Sequence, residues 1–467
     1  MGDYSDSRSA GMRQWGNEEM GRAMWKCGSG EMRQWVLGAV VLVALLATPA
    51  GTMVSARGQS AATPQQLQAR VDAMIAELQP SIVALRRDFH QHPELGFKET
   101  RTAGIVADYL RGLKFDEVRT GVGGTGVVGI LKGGRPGPVV ALRADMDALP
   151  IPELIDPPYK SLVPGVKHAC GHDGHTAMLM GVANIFSRMR AELPGTVVFL
   201  FQPAEEGDPA GGTTGAVRVL AANGLSNPKP DAIFGLHLEP TVHVGLVTMN
   251  VGAAMAAADR FTITIQGKKT HGAMPHTGID PIPIASEVVL ALQTIPSRQI
   301  DVQQPTVITI GSMNGGNRYN VIADSVVMEG TVRTFSKDGP ATVKAKMEQI
   351  LKGVTSSYGA TYTLDYKNNA PVTYNDPALA TRSRAALEAA MGADRVRTSP
   401  LQMVSEDFAY YQQVIPGFYF FVGVQNPDKG ITAMWHTEYY DMDEAALPIG
   451  MKAMATVALD FLTRKTP

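Results

Sequence analysis

The sequence predicts an α/β fold, a buried and mostly parallel sheet packed between helices and interrupted by a second module of order β-α-β-β-α-β. Two observations predict it. Continuous apolar runs at Val139–Leu142, Val197–Phe201 and Ala232–Leu236 are separated by helical stretches such as 176–189, the pattern of strands buried on both faces. Between residues 257 and 369 the period changes, and apolar positions alternate with polar ones, as in half-buried strands.

Taken in order, residues 1–31 are polar and Gly-rich and read as a disordered or mis-assigned extension upstream of Met32. From there Arg33, the apolar stretch Trp35–Ala47 and a run of small residues give the layout of a secretory signal over 32–56, with Val54-Ser55-Ala56 as the cut. Export to the periplasm or the medium is the expectation. The alternative is a membrane anchor over 35–54, although Pro49 and Gly51 shorten the apolar part below the ~20 residues of a span. Cleavage would remove Cys27 and leave Cys170 as the sole thiol, so no internal disulfide is expected.

Residues 64–256 and 370–467 are expected to form one catalytic domain in two parts, with 257–369 inserted between them. Thr63-Pro64 opens a helix with Leu67, Val71, Met74, Ile75 and Leu78 on its apolar face, and a second segment carries Ile82, Val83, Leu85 and Phe89. In the insertion, Phe261, Ile263 and Ile265 mark a strand, and a helix follows near 281–295. Strands near 304–311 and 325–335 come next, then a helix with Val343, Met347, Ile350 and Leu351, then a strand alternating Tyr362, Leu364 and Tyr366. That order is a ferredoxin-like split βαβ. The main fold resumes with a helix after Asp376, a strand at Phe418–Val422 and a closing helix from Asp443 to about Leu462, whose methionines read as core packing.

With 467 residues, the chain is long enough for two or three domains. Lys+Arg total 42 against Asp+Glu 44, and no basic run stands out, so nucleic acid is not an expected partner.

The histidines and carboxylates are the chemical clue. Asp145 and Asp147 follow the first apolar run, Glu205 and Glu206 the second, and His237 the third. Ligands of open α/β sheets bind outside the carboxyl ends of strands, so three runs deliver such groups to one edge. Cys170 and His172 lie two residues apart in a glycine-containing loop. Thiolate, imidazole and carboxylate are the ligand set of zinc and related divalent ions. Successive glutamates can diverge, one ligating and the other free as a general base. Each motif alone is weak; Cys-Gly-His is more often structural, and a Glu pair is usually a solvated surface.

The chain resembles the aminoacylase/carboxypeptidase-type metal-dependent amidohydrolases, which include hippurate hydrolases, auxin-conjugate hydrolases and N-acetyl-diaminopimelate deacetylases. The segments that carry the resemblance are RRDFHQHPELGFKE (86–99), ALRADMDALPI (141–151), HACGHDGHTAM (168–178), FQPAEEG (201–207), GLHLEP (235–240), KTHGAMPHTGIDPI (269–282), NVIADSVVMEGTVRTF (320–335), SEDFAYY (405–411) and WHTEYYD (435–441). The resemblance implies a zinc-peptidase-like catalytic domain with an inserted lid that also serves dimerisation, giving a homodimer or higher homo-oligomer. It implies two divalent ions per subunit, Zn2+ or Mn2+ with Ni2+ or Co2+ as further candidates, held by Cys170, His172, Glu206, His237 and His436. Glu205 would be the general base, and His271 would stabilise the oxyanion. Asn320 and Arg333 would bind substrate; Arg333 shares a strand face with Glu329 and Thr331, opposite Val326, Met328 and Val332. The wider clan has a ligand His two positions before an Asp. Here the pair is Asp145 and Asp147, which does not support Asp145 as a ligand and leaves Asp147 to orient one.

The implied activity is hydrolysis of the amide bond of N-acyl-L-amino acids, hippurate-like or aromatic conjugates, to a free amino acid and a carboxylic acid. Two alternatives stand beside it, a cysteine hydrolase using Cys170 as nucleophile and a non-catalytic exported binding protein on the same scaffold. His90 and His92 end a helix and so do not make the His-x-His of a barrel-type site. His168, His175, His243 and His276 read as hydrogen-bonded structural groups.

Overall fold

A computed structural model describes residues 63–463. The leader and anchor expectations over 32–56, and the extension before them, fall outside that range. The first helix, Pro64–Gln91, begins with a reciprocal cap: Gln66 N–H donates to the Thr63 hydroxyl, and the Gln66 side chain accepts from Thr63 N–H. It is one helix rather than the two segments expected. Pro80 lies inside it, which costs about 3 kcal/mol of helix stability. Leu67, Val71, Ile75, Leu78, Ile82 and Phe89, on both sides of Pro80, share one buried face. Burying each of those side chains contributes about 1.5–3 kcal/mol, so the packed face outweighs the proline.

The central sheet has eight strands in the spatial order 117–122, 126–132, 194–202, 135–145, 232–243, 417–425, 247–249, 396–398. The four in the middle run parallel. Antiparallel pairs extend the sheet at 117–132 and at 247–249. Neither of the first two strands was expected from the sequence. The middle strands are covered on both faces. Val197, Phe199 and Phe201 enter the core beneath helices Pro64–Gln91, His172–Arg188 and Ala446–Thr463, whereas Val198 and Leu200 pack on the opposite side with Phe408, Tyr411 and Tyr419. An apolar run without alternation needs both faces filled, and they are. Met451 and Met454 of the closing helix are buried in that first core.

Residues 257–370 build a separate four-stranded antiparallel sheet in the order 307–315, 325–334, 257–266, 361–370. Helices Pro281–Leu292 and Gly339–Ser357 cover one of its faces, and their core unites Phe261, Ile263, Ile265, Val326, Met328, Val332, Val343 and Met347. This is the arrangement of a split βαβ module. Strand alternation sends Glu329, Thr331 and Arg333 to the other, partly exposed face.

Phe234 tests how much of the framework the main core carries. It is fully buried, edge-on to Phe418 at 6.3 Å and to Phe461 at 6.0 Å between ring centroids. Phe234→Ala is expected to destabilise the protein by about 3–5 kcal/mol, read as a lowered urea midpoint at unchanged slope.

Candidate metal centre

Four pieces of backbone meet at the carboxyl end of the parallel strands. They are the loop before helix His172–Arg188, the turn after strand Pro194–Gln202, strand Ala232–His243 and the 434–440 loop. The chain is bent hard at this point. Ala204 and His436, neither of them glycine, sit in the left-handed region at φ 46° and 57°, a conformation that costs of order 1–3 kcal/mol each. Gly171 also takes φ 94°, and a Cβ there would fall 2.7 Å from the Tyr440 hydroxyl, so only glycine lets Cys170 and His172 flank this turn.

The five expected donors converge. Ligand atoms of Cys170, His172 and His237 lie within 4.8 Å of one another, and so do those of Cys170, Glu206 and His436. The two triads share only the thiol. Cys170 Sγ is 3.4 Å from His237 Nε2. His237 lies within its strand, which continues to His243, rather than just past its end as the sequence suggested.

Hydrogen bonds set which ring nitrogen faces the cluster. His237 Nδ1 donates to Leu238 O at 2.7 Å, and His172 Nδ1 donates to Asp147 O at 2.9 Å. In its neutral form each ring therefore turns an Nε2 lone pair inward. Among the described residues, His172 Nε2 and Glu206 Oε1 are buried without a hydrogen-bond partner. His436 Nε2 lies 2.9 Å from Glu206 Oε1, yet the pair does not make an aligned hydrogen bond.

The electrostatics ask for positive charge. Burial, then Glu206, Glu205 and Asp145, push the Cys170 thiol well above its ordinary range, so it ionises only beside a cation. Burial alone would lower His172, but Asp145 and Asp147 outweigh it and raise its pKa to about 10. Burial, with Glu406, Glu206 and Asp407, also pushes Glu205 up. Soft and hard donors, inward lone pairs, orphaned ligand atoms and an excess of negative charge together fit divalent metal ions.

Asp147 is the organiser. Its two carboxylate oxygens accept from Glu205 N–H at 3.1 Å and Glu206 N–H at 3.0 Å, and His172 Nδ1 lies 3.2 Å from Oδ1. Asp145 is instead occupied by Arg143 at 2.5 Å and His175 Nδ1 at 2.6 Å. His175 Nε2 accepts from Leu238 N–H at 3.0 Å, so the ring carries its proton on Nδ1 and pins the peptide next to His237.

The other histidines separate. His90 is buried between Asp173 at 2.7 Å and Glu153 at 3.1 Å. His92 caps the first helix, and His243 makes only a local bond to Val244 O. His276 is exposed. His168 departs from expectation: it is buried, but neither ring nitrogen has a hydrogen-bond partner among the described residues, and burial lowers its pKa to about 3.

A family model described as peptidase family M20/M25/M40 matches residues 141–460. A thermostable carboxypeptidase of Saccharolobus solfataricus is 38% identical over 389 residues, 83% of this chain and 97% of that protein. The chain belongs to peptidase family M20/M25/M40. This M20-type chain is therefore a hydrolytic enzyme. It is also 38% identical to an N-acetylcysteine deacetylase of Bacillus subtilis over 379 residues, 81% of the chain and 96% of that protein. A solved Bacillus subtilis structure described as a dinuclear metal binding peptidase from M20 family superposes with a TM-score of 0.71 at 36% identity, covering 83% of this chain and 99% of that one.

In this M20 enzyme the inserted module holds the remaining expected site residues. His271 and Asn320 adjoin on a short two-stranded ribbon, where Val321 pairs with His271 and Gly272 N–H donates to Asn320 O. Among the described residues their hydrogen bonds are local, and His271 is exposed. Arg333 donates through Nε to Met403 O at 3.2 Å, and its Nη1 meets Thr331 and Val332, beside Asp259 in a surface cleft.

Sequence reasoning missed a buried polar network behind Glu205 formed by Arg143, Gln202, Glu406 and Asp407. The clue was an arginine inside an otherwise apolar strand, a charge that must find partners once buried. Glu99 was missed as well. Wholly buried, it accepts from Ala204 N–H at 2.8 Å and from the Thr125 hydroxyl. Burial first, then the charge of Asp147, raises its pKa from 4.5 to about 7. The folded protein thus holds this proton more tightly than the unfolded chain. The Glu99 contribution to stability is full below pH 4.5 and falls as pH rises to about 7. Glu99→Gln keeps an acceptor for Ala204 N–H and is expected to flatten that decline relative to the parent. Urea midpoints of both proteins across this pH range check it, and parallel slopes would refute it.

Proposed function

We propose that this enzyme hydrolyses the amide bond of N-acyl-L-amino acids using two divalent ions held by Cys170, His172, Glu206, His237 and His436. The single observation that carries the reading is that two three-donor clusters share one buried thiol, Cys170. The similarity to a carboxypeptidase, a deacetylase and a dinuclear metal-binding peptidase supports it. His172 and His237 would hold one ion and Glu206 and His436 the other, with Cys170 between them. When bound, divalent ions supply electrophilic polarisation of an acyl carbonyl and a lowered pKa for water.

The chain's own groups do the rest. Glu205 Oε1 accepts from Asp407 N–H at 3.3 Å, which leaves Oε2 as the proton acceptor. As a water oxygen bonds to the acyl carbon, Oε2 takes its proton. As the C–N bond breaks, Oε2 returns that proton to the leaving nitrogen, giving a free amino acid and a carboxylic acid. In this reading Arg333 gives up its own bonds to Met403, Thr331 and Val332 and turns its planar fork to the substrate's α-carboxylate. His271 and Asn320 face the acyl group from the inserted module, which also forms the homodimer. Zinc and manganese both suit the mixed donor set, and the enzyme acts after export.

Chelation of the purified enzyme is expected to abolish turnover of N-acetyl and N-benzoyl amino acids, and zinc or manganese to restore it. Cys170 and His237 at 3.4 Å also have the separation of a thiol–base pair, and activity that survives full chelation would favour that second reading. Glu205→Gln is expected to keep the metal content and lower kcat by at least ~10²-fold. Wild-type turnover in a metal-replete Glu205→Gln protein would remove Glu205 from the base role.

A further inference from the structure

Behind the cluster lies a side chain that touches none of the five donors. Arg143 sits near the carboxyl end of strand Arg135–Asp145 and is fully buried, with every arm of its guanidinium engaged. Nε donates to Gln202 Oε1 at 2.9 Å and Nη1 to Asp145 Oδ2 at 2.5 Å. Nη2 is shared between Glu406 Oε1 at 2.9 Å and Asp407 Oδ1 at 2.8 Å.

Each contact leads on to the site. Asp145 holds His175, whose other nitrogen fixes the Leu238 peptide adjoining His237. Gln202 Nε2 donates to both Asp407 oxygens, at 2.8 and 2.9 Å, and Ala216 N–H donates to Oδ2 at 2.9 Å, so the Asp407 side chain cannot turn. Glu406 is fixed as well, by the Tyr419 hydroxyl at 2.6 Å and by Phe408 N–H. With both side chains fixed, the backbone N–H of Asp407 points at Glu205 Oε1.

We infer that Arg143 is a positioning residue for turnover: by clamping Glu406 and Asp407 it aims the Asp407 N–H at Glu205 and so sets the orientation of that carboxylate. Lysine cannot reproduce the clamp, because one ammonium cannot serve four acceptors set around a planar fork. A carboxylate displaced by about 1 Å can lose ~10²-fold in rate. The inference rests on the proposed role of Glu205 as base.

The test compares Arg143→Lys in the wild-type and Glu205→Gln backgrounds, with metal content, melting temperature, kcat and KM measured for each. Arg143→Lys is expected to retain its metal and lower kcat by ~10–10²-fold, with KM changed less than about twofold. In the Glu205→Gln background the same substitution is expected to lower the residual rate no further, because the group it orients is already disabled. An unchanged kcat in Arg143→Lys, or an equal loss in both backgrounds, would overturn the inference. If Glu205→Gln is itself fully active, the base reading fails and the inference falls with it. If Glu205→Gln is inactive and Arg143→Lys turns over normally, only the inference fails. Should Arg143→Lys not fold, Asp407→Asn takes its place in both backgrounds. Its amide would present N–H groups to the Ala216 N–H, turning the loop and lowering kcat in the wild-type background alone; equal effects in both backgrounds, or none, would refute the inference.

Discussion

Two peptide N–H groups in a strained turn, those of Glu205 and Glu206, share one buried carboxylate, that of Asp147, and the geometry of the centre depends on it. The same carboxyl group, with its backbone carbonyl, fixes the ring of His172. The two N–H groups are adjacent and converge on one acceptor, so the side chains they precede leave the turn in different directions. One reaches the donor cluster and the other stays beside Asp407. The left-handed Ala204 makes this possible, and Glu99 holds Ala204 N–H in place. Without the Asp147 carboxylate, two donors would stand unpaired in a buried turn, each costing about 1–3 kcal/mol, and the turn would relax away from the strained conformation.

The same arrangement creates the charge problem that the proposed ions solve. Asp145, Asp147, Glu205, Glu206, Glu406 and Asp407 crowd the carboxyl ends of the middle strands. Arg143 is the buried guanidinium that answers three of them directly. Burial first and then Glu206, Glu205 and Asp145 raise the Cys170 thiol, and Asp145 and Asp147 raise His172 against its burial, which disfavours the anion in one and favours a bound proton in the other. Both responses express a local demand for cations. A parallel sheet buried on both faces can hold such a cluster because its backbone bonds are complete and its cores hold the strand ends in place.

Much of this was legible in the sequence wherever one rule governed the outcome. Runs such as Val197–Phe201 could only be buried strands, and the alternation of Val326, Met328 and Val332 placed Arg333 on the opposite face. Strand ends pointed to the Glu205–Glu206 pair and His237, and the Cys170–His172 spacing to a ligating loop, whereas His436 and the choice of Glu206 over Glu205 came only from the family resemblance. The first helix proved continuous through Pro80 because local propensity yielded to a packed face, and the strands at 117–132 went unread because Gly129 splits the apolar run Val127–Leu131 and 117–122 carries only two valines. The Arg143 clamp was illegible because its partners lie about 60 and 260 residues away, and strand periodicity does not report which distant carboxylates will meet a buried guanidinium.

The central claim is that the thiol of Cys170 belongs to two cation sites at once. Crystals grown with manganese or zinc, measured at the absorption edge of that metal, test it most directly. The account predicts two anomalous peaks, one beside His172 and His237 and the other beside Glu206 and His436, with Cys170 Sγ next to both. A single peak, or peaks from which Cys170 is absent, would contradict it.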